Sequence, residues 1–171
     1  MMTMDKLHRL RERLEGARVK RCHTADYHGH YDVGQHSFAM LLIYCTLHPS
    51  PQKGTMLAIM AHDLAERYTG DIPAPVLLGD DMMREHMAQA EEELRERMGI
   101  QWNLDYEEER WLWGCDRLEH WLWAMRQHRM GNTLISHHLD WARETVGSMD
   151  LPDPLRELYT FFDHDHGRDT L

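Results

Sequence analysis

Apolar residues recur along this chain at intervals of three and four, while period-two alternation is scarce, so the pattern predicts helices rather than strands. Residues 6–14 read as an amphipathic helix with Gly16 as its break. Residues 18–34 are polar and aromatic and read as loop. Residues 35–47 are apolar on nearly every face, as a buried helix is, and His48-Pro49-Ser50-Pro51 stops them. A second buried helix is predicted over 55–68, closed by Thr69-Gly70. Pro73 and Pro75 are then expected to hold the chain extended. Residues 80–98 form a charged surface helix, and 105–130 a long one whose acidic first turn suits the helix dipole. Trp-Leu-Trp triplets at 111–113 and 121–123 mark its core-facing stretch. Helices over 133–146 and 154–162 follow, and a polar tail begins at Asp163. No solenoid-length repeat and no linker divides the chain, so the expected architecture is all-α in a single domain.

The second buried helix carries the chemistry. His62 and Asp63 are adjacent in an apolar setting, with Glu66 one turn later and Asp71 just beyond. Residues three and four apart share a helix face, so His62, Asp63 and Glu66 can converge on one point. An imidazole and two carboxylates aimed together call for a divalent cation. His36, at the start of the preceding helix, and a later carboxylate would complete the set. That carboxylate is best assigned to Asp116, which lies in an apolar stretch where an unpaired charge is costly; Asp140 is the alternative. Histidines with carboxylates suit Zn, Mn, Fe, Co or Ni rather than calcium.

Charge and cysteine narrow the partners. A formal net charge of −10 over 171 residues disfavours a surface that tracks a nucleic-acid polymer. It leaves phosphorylated small molecules open, because a bound divalent ion reverses the local sign. Three cysteines without Cys-x-x-Cys spacing argue for a reducing compartment. The longest apolar run, 38–45, is far short of a membrane span, and the N-terminus lacks a signal peptide's apolar centre. The expected location is therefore cytoplasmic, in the host cytoplasm if the protein is viral. Fourteen histidines is a high count, and solvated positions account for most of them, His28, His30, His164 and His166 among them.

Taken together, these residues resemble the HD-domain metal-dependent phosphohydrolases, whose signature is a lone His, a His-Asp pair and a distant Asp. The closer resemblance is to the small nucleotidase branch, the bacterial 5′-deoxynucleotidases and phage-encoded deoxynucleoside triphosphate hydrolases. It is carried by Lys20-Arg21, Gln35-His36-Ser37, His62-Asp63 with Glu66, the run Thr69-Gly70-Asp71-Ile72-Pro73-Ala74-Pro75, and Asp116. It spans roughly 18–119 and implies a helical HD-domain bundle over the whole of 1–171.

The resemblance implies that His36, His62, Asp63 and Asp116 hold one ion, of Mn, Co, Mg, Zn, Ni or Fe. Glu66 would be the general base or orienting group, and Asp71 would help hold a second ion or the attacking water. Arg21 would reach the substrate phosphate, for which a planar guanidinium is well shaped. Where related nucleotidases often carry an aromatic residue after that arginine, this chain has Cys22, so His23, Tyr27 or Tyr31 would have to face the sugar. Thr24 and Pro75 are candidates to sandwich the base.

The implied reaction is attack of metal-activated water on the α-phosphorus. The favoured substrate is a dNTP, as in phage relatives that remove dATP, giving deoxynucleoside and intact triphosphate. The alternative is a dNMP, giving deoxynucleoside and phosphate. Arg18, Lys20, Lys53, Arg67 and Arg84 are the cations available for further phosphates. A di-iron oxygenase, with His86 or His120 as added ligands, and a non-catalytic metal-binding protein are the other classes. Relatives imply a homo-oligomer, a dimer or larger.

Overall fold

The computed structural model describes residues 2–164; of the polar tail expected from Asp163, residues 165–171, with His166, lie outside them. Among the described residues the regular structure is helical, apart from one antiparallel bridge between Lys20 and Asp32. The helices are α1 (Met4–Gly16), α2 (Val33–Leu47), α3 (Lys53–Ala61), α4 (Glu66–Thr69), α5 (Ala74–Leu78), α6 (Asp81–Arg97), α7 (Tyr106–Arg129), α8 (Ser136–Ser148) and α9 (Asp153–His164). A short 3-10 turn, Thr133–Ile135, leads into α8. The all-α expectation holds. No described helix is long and apolar enough to cross a membrane.

Local chemistry sets the ends of the longer helices. Asp32 caps α2 by accepting from the Gln35 amide at 2.8 Å. Asp105 and Glu108 form a reciprocal capping box at the start of α7. α7 is the axis of the molecule, packing on α2, α3, α8 and α9. Met40, Tyr44, Ile59, Leu112, Leu118, Trp121, Val146 and Leu155 form the main core around it. The triplet tryptophans divide by face: Trp111 and Trp121 are buried, whereas Trp113 is exposed. A smaller core of Val33, Leu64, Met98 and Ile100 sits at the end of α1.

Two expectations are corrected. The helix predicted over 55–68 is interrupted between Ala61 and Glu66, where backbone bonds tighten to the i→i−3 pattern (Leu64 to Ala61, Glu66 to Asp63). The His62 side chain helps cause this: its Nδ1 bonds the Ile59 carbonyl at 2.9 Å, the acceptor that the Asp63 amide would use in a continuing helix. The segment around Pro73 and Pro75, expected extended, contains α5. A proline in the first turn of a helix loses only an amide that has no partner there anyway.

Gly16 does more than end α1. A Cβ there would lie 2.4 Å from the Leu64 carbonyl oxygen, so only glycine lets α1 press on the tight 62–65 turn.

Candidate metal centre

The segment between α1 and α2 is held at its base by backbone pairing. The Arg21 amide bonds the Tyr31 carbonyl at 3.0 Å, and the Val33 amide bonds that of Val19 at 3.0 Å. Farther out, the Gln127 side chain clasps both backbone groups of His28, accepting from its amide at 2.8 Å and donating to its carbonyl at 3.0 Å. Asn132 Nδ2 donates to the Asp26 carbonyl at 2.6 Å. The loop expected at 18–34 is therefore fixed at both ends, and it delivers Arg21 into the interior, where it is 7% exposed.

Arg21 arrives among carboxylates. Its Nη1 pairs closely with Asp63 and lies 4.0 Å from Glu66 Oε1, and its Nη2 lies 3.9 Å from Asp116 Oδ1. Burial opposes a charge on this guanidinium, but Asp63, Tyr31, Asp116 and Glu66 outweigh it and keep it firmly protonated.

Beside Arg21, one ligand atom each from His36, His62 and Asp116 lie within 4.8 Å of one another, and all three residues are buried. His36 Nε2 is 3.1 Å from Asp116 Oδ1 and 3.8 Å from Asp63 Oδ2, while His62 Nε2 is 3.1 Å from Asp63 Oδ2. Neither Nε2 makes a hydrogen bond. Each histidine is instead held through Nδ1, His62 by the Ile59 carbonyl and His36 by the Glu119 carboxylate. That arrangement places Nδ1–H on its acceptor and leaves the Nε2 lone pair facing the cluster. Two unpartnered imidazole nitrogens with adjacent carboxylates are a donor set that fits a divalent cation.

The electrostatics separate the carboxylates. Burial would raise the Asp63 carboxyl, but His62 and Arg21 hold it well below the usual range. Asp116 is likewise low despite burial, under Arg117, His36 and His62. Arg117 Nε stands 3.4 Å from Asp116 Oδ2, so this aspartate pairs outward with one oxygen and turns the other to the cluster. Glu66 goes the other way: burial and the charge on Asp63 push it up to about 9. Its Oε2 is buried without a hydrogen-bond partner.

Other expected residues are distributed as follows. Asp71 accepts from the Cys22 amide at 2.7 Å and lies 3.5 Å from His23 Nδ1, joining the 62–75 region to the Arg21 loop. Thr24 is exposed on that loop, and Pro75 falls in α5 but outside the described side chains. Tyr31 is buried in the core of the site, stacked on Trp123 at 4.3 Å, which removes it as a face for the sugar. Asp140 and His86 are exposed, and His120 turns to His138 rather than to the His36 cluster. Of the candidate cations, Arg67 is engaged with Glu15 and Arg84 with Asp81.

Several contributors were not read from the sequence. Glu119 stands three residues after Asp116 on the same face of α7, a spacing that could have revealed it. Tyr31 donates to the same Glu119 oxygen at 2.6 Å. Glu91, on the helix expected at the surface, has its carboxyl raised by burial and by the charge on Asp63.

Residues 18–128 match a family model described as an HD domain. No curated protein matches the chain. Among solved structures, the chain is similar to the cyanophage S-2L HD phosphohydrolase DatZ, a protein bound to dA and one catalytic Zn2+ ion. That likeness has 17% identity and a TM-score of 0.64, covering 97% of each chain. It is also similar to the PH0347 protein of Pyrococcus horikoshii OT3, at 16% identity and TM-score 0.68, covering 92% of this chain and 98% of that one. At such identities the likeness concerns the fold.

Proposed function

The chain belongs to the HD-domain family of metal-dependent phosphohydrolases, and on that premise we propose that it hydrolyses deoxynucleotides at the α-phosphorus. One observation carries the reading: His36, His62 and Asp116 converge with unpartnered Nε2 atoms, beside an arginine buried among Asp63, Glu66 and Asp116. His36, His62, Asp63 and Asp116 would hold the ion. When bound, such an ion lowers the pKa of water from about 15.7 towards about 7 and offsets charge on phosphoryl oxygens.

The chain's own groups do the rest. Arg21 would donate to the phosphoryl oxygens, where a fixed guanidinium stabilises the charge that builds up in the transition state. Glu66 is the group for the proton. Positive charge added beside Asp63 would lower Glu66 from its present value of about 9 towards the range a general base needs. Asp71 would hold the Cys22–His23 turn in position. Cys22, Thr24 and Pro75 would line the sugar and base.

The favoured substrate is a dNTP, released as deoxynucleoside and triphosphate; dATP is the candidate suggested by the dA bound to the phage protein. Arg18 and Lys20, exposed in the same segment as Arg21, and Lys53, exposed on α3, are the cations left for the outer phosphates. The second reading, a dNMP cleaved to deoxynucleoside and phosphate, uses the same step. A homo-oligomer is part of the proposal, and exposed Phe38, Leu42, Leu57 and Met60 on α2 and α3 supply apolar surface for it. The test is incubation with Mn, Co or Mg and each dNTP and dNMP, resolving nucleoside, phosphate and triphosphate. Equimolar nucleoside and triphosphate is expected. Orthophosphate from monophosphates alone would promote the second reading, and no release from any nucleotide would end both.

A further inference from the structure

A second group of ligand-type side chains adjoins the first and takes no part in the proposed reaction as a set. Cys22, from the Arg21 loop, His120, from α7, and His138, from α8, each place a donor atom within 4.8 Å of the others. The Nε2 atoms of His120 and His138 face each other at 2.6 Å, and Cys22 Sγ lies 4.0 Å from His138 Nε2. His120 is 6% exposed, and its Nδ1 is buried with no hydrogen-bond partner. Trp123 and Trp141 wall the pair, with ring centroids 5.7 and 6.1 Å from His120.

Buried His120 and half-buried His138 meet nitrogen to nitrogen, with Cys22 beside them. One Nε2–H can satisfy one Nε2 lone pair, whereas an ion seated between the rings would take both lone pairs; the far nitrogen of His120 has no partner in either case. Both rings are kept neutral, His120 by burial and the nearby His138 and Arg21, His138 by burial. Neutral imidazole is the metal-binding form.

We propose that Cys22, His120 and His138 form a second metal site, selective for a thiophilic divalent cation of the zinc or cobalt class. The donor set, one sulfur and two imidazole nitrogens, is what such ions take and what magnesium and calcium refuse. Nitrogens about 2.1 Å from a tetrahedral ion stand roughly 3.4 Å apart. The two nitrogens, now 2.6 Å apart, therefore need to open by about 0.8 Å. The Cys22 thiol, which burial pushes up to about 12, gives its proton to solvent as the sulfur–metal bond forms, so uptake releases one proton per ion. Cys22 follows Arg21 directly and holds the left-handed φ of 50°. A bond at its sulfur would pin the turn that aims the guanidinium.

The test uses the full chain, stripped of metal and titrated with Co(II). Two ions per chain are expected, with a thiolate-to-cobalt charge-transfer band in the near ultraviolet, which the His36–His62–Asp63–Asp116 set cannot produce. Cys22→Ser and His138→Gln should each abolish the band and lower the stoichiometry to one. Cys45→Ser should leave it intact. His62→Ala should remove the other ion and keep the band, so failure of this site and failure of the hydrolase reading are read separately. No band in the parent protein, or a band that survives both Cys22→Ser and His138→Gln, overturns the proposal.

Discussion

The imidazole of His36 rests on the carboxylate of Glu119, one turn along α7 from Asp116, and the Tyr31 hydroxyl donates to the same oxygen at 2.6 Å. One helix face thus supplies both a candidate ligand and the group that orients another. A carboxylate behind a ligating histidine fixes its tautomer and raises its basicity. Glu119→Gln should lower metal affinity about 10- to 100-fold. Competition against a chromophoric chelator measures it, and an unchanged affinity would remove Glu119 from this role.

Asp63 faces both histidines and Arg21, so its loss strikes twice. Asp63→Ala should abolish loading of the His36 site and turnover together, because a ligand is gone and the buried Arg21 loses its closest partner. Equilibrium dialysis, with circular dichroism to confirm the fold, checks this. Retention of both ions would contradict the ligand assignment.

Glu66 is assigned the proton rather than the ion. Glu66→Ala should keep the metal content of the parent and slow kcat by a factor on the order of 10²–10⁴. Steady-state kinetics beside metal analysis separates the two effects. A variant with the full rate would reassign the residue.

Gly16 touches the site only through backbone. Gly16→Ala would drive a methyl group into the Leu64 carbonyl, where neither backbone segment can give way cheaply. A loss of about 1–3 kcal/mol is expected, read as a lower midpoint in urea. Weaker metal binding should accompany it, since the displaced turn carries His62 and Asp63.

Gln127 acts at a distance from the chemistry. Gln127→Ala leaves both backbone groups of His28 without their partner, at a cost of about 1–3 kcal/mol. Its signature should be a raised KM with little change in metal affinity, because the clasp steadies the loop that delivers Arg21. An unchanged KM would show that the base of the loop suffices.

The sequence made the long helices legible because their signals are local. The capping residues of α2 and α7 and the apolar faces of α2 and α7 are written within a few positions of one another. His36, His62, Asp63 and Asp116 were legible by type and spacing, and the fold brings three of their ligand atoms together with Asp63 alongside. What escaped depends on tertiary geometry. The interruption at 62–65 follows from a side chain capturing a helical carbonyl, which periodicity does not register. α5 was hidden by Pro73, which stands just before it, and Pro75, which is harmless in its first turn. His120 and His138 lie far enough apart in sequence that only the packing of α7 against α8 pairs them, and Tyr31 reads as a loop aromatic until Trp123 is seen beneath it.

The face of α7 also sets a rule about length. Asp116, Glu119, His120, Trp123 and Gln127 follow helical spacing, and between them they reach His36, Tyr31, His138 and His28. Inserting or deleting one residue between 117 and 126 would turn everything downstream by about 100°, uncoupling the loop clasp from the ligand that stays upstream. Register, more than the identity of any one side chain, is what this stretch of helix cannot give up.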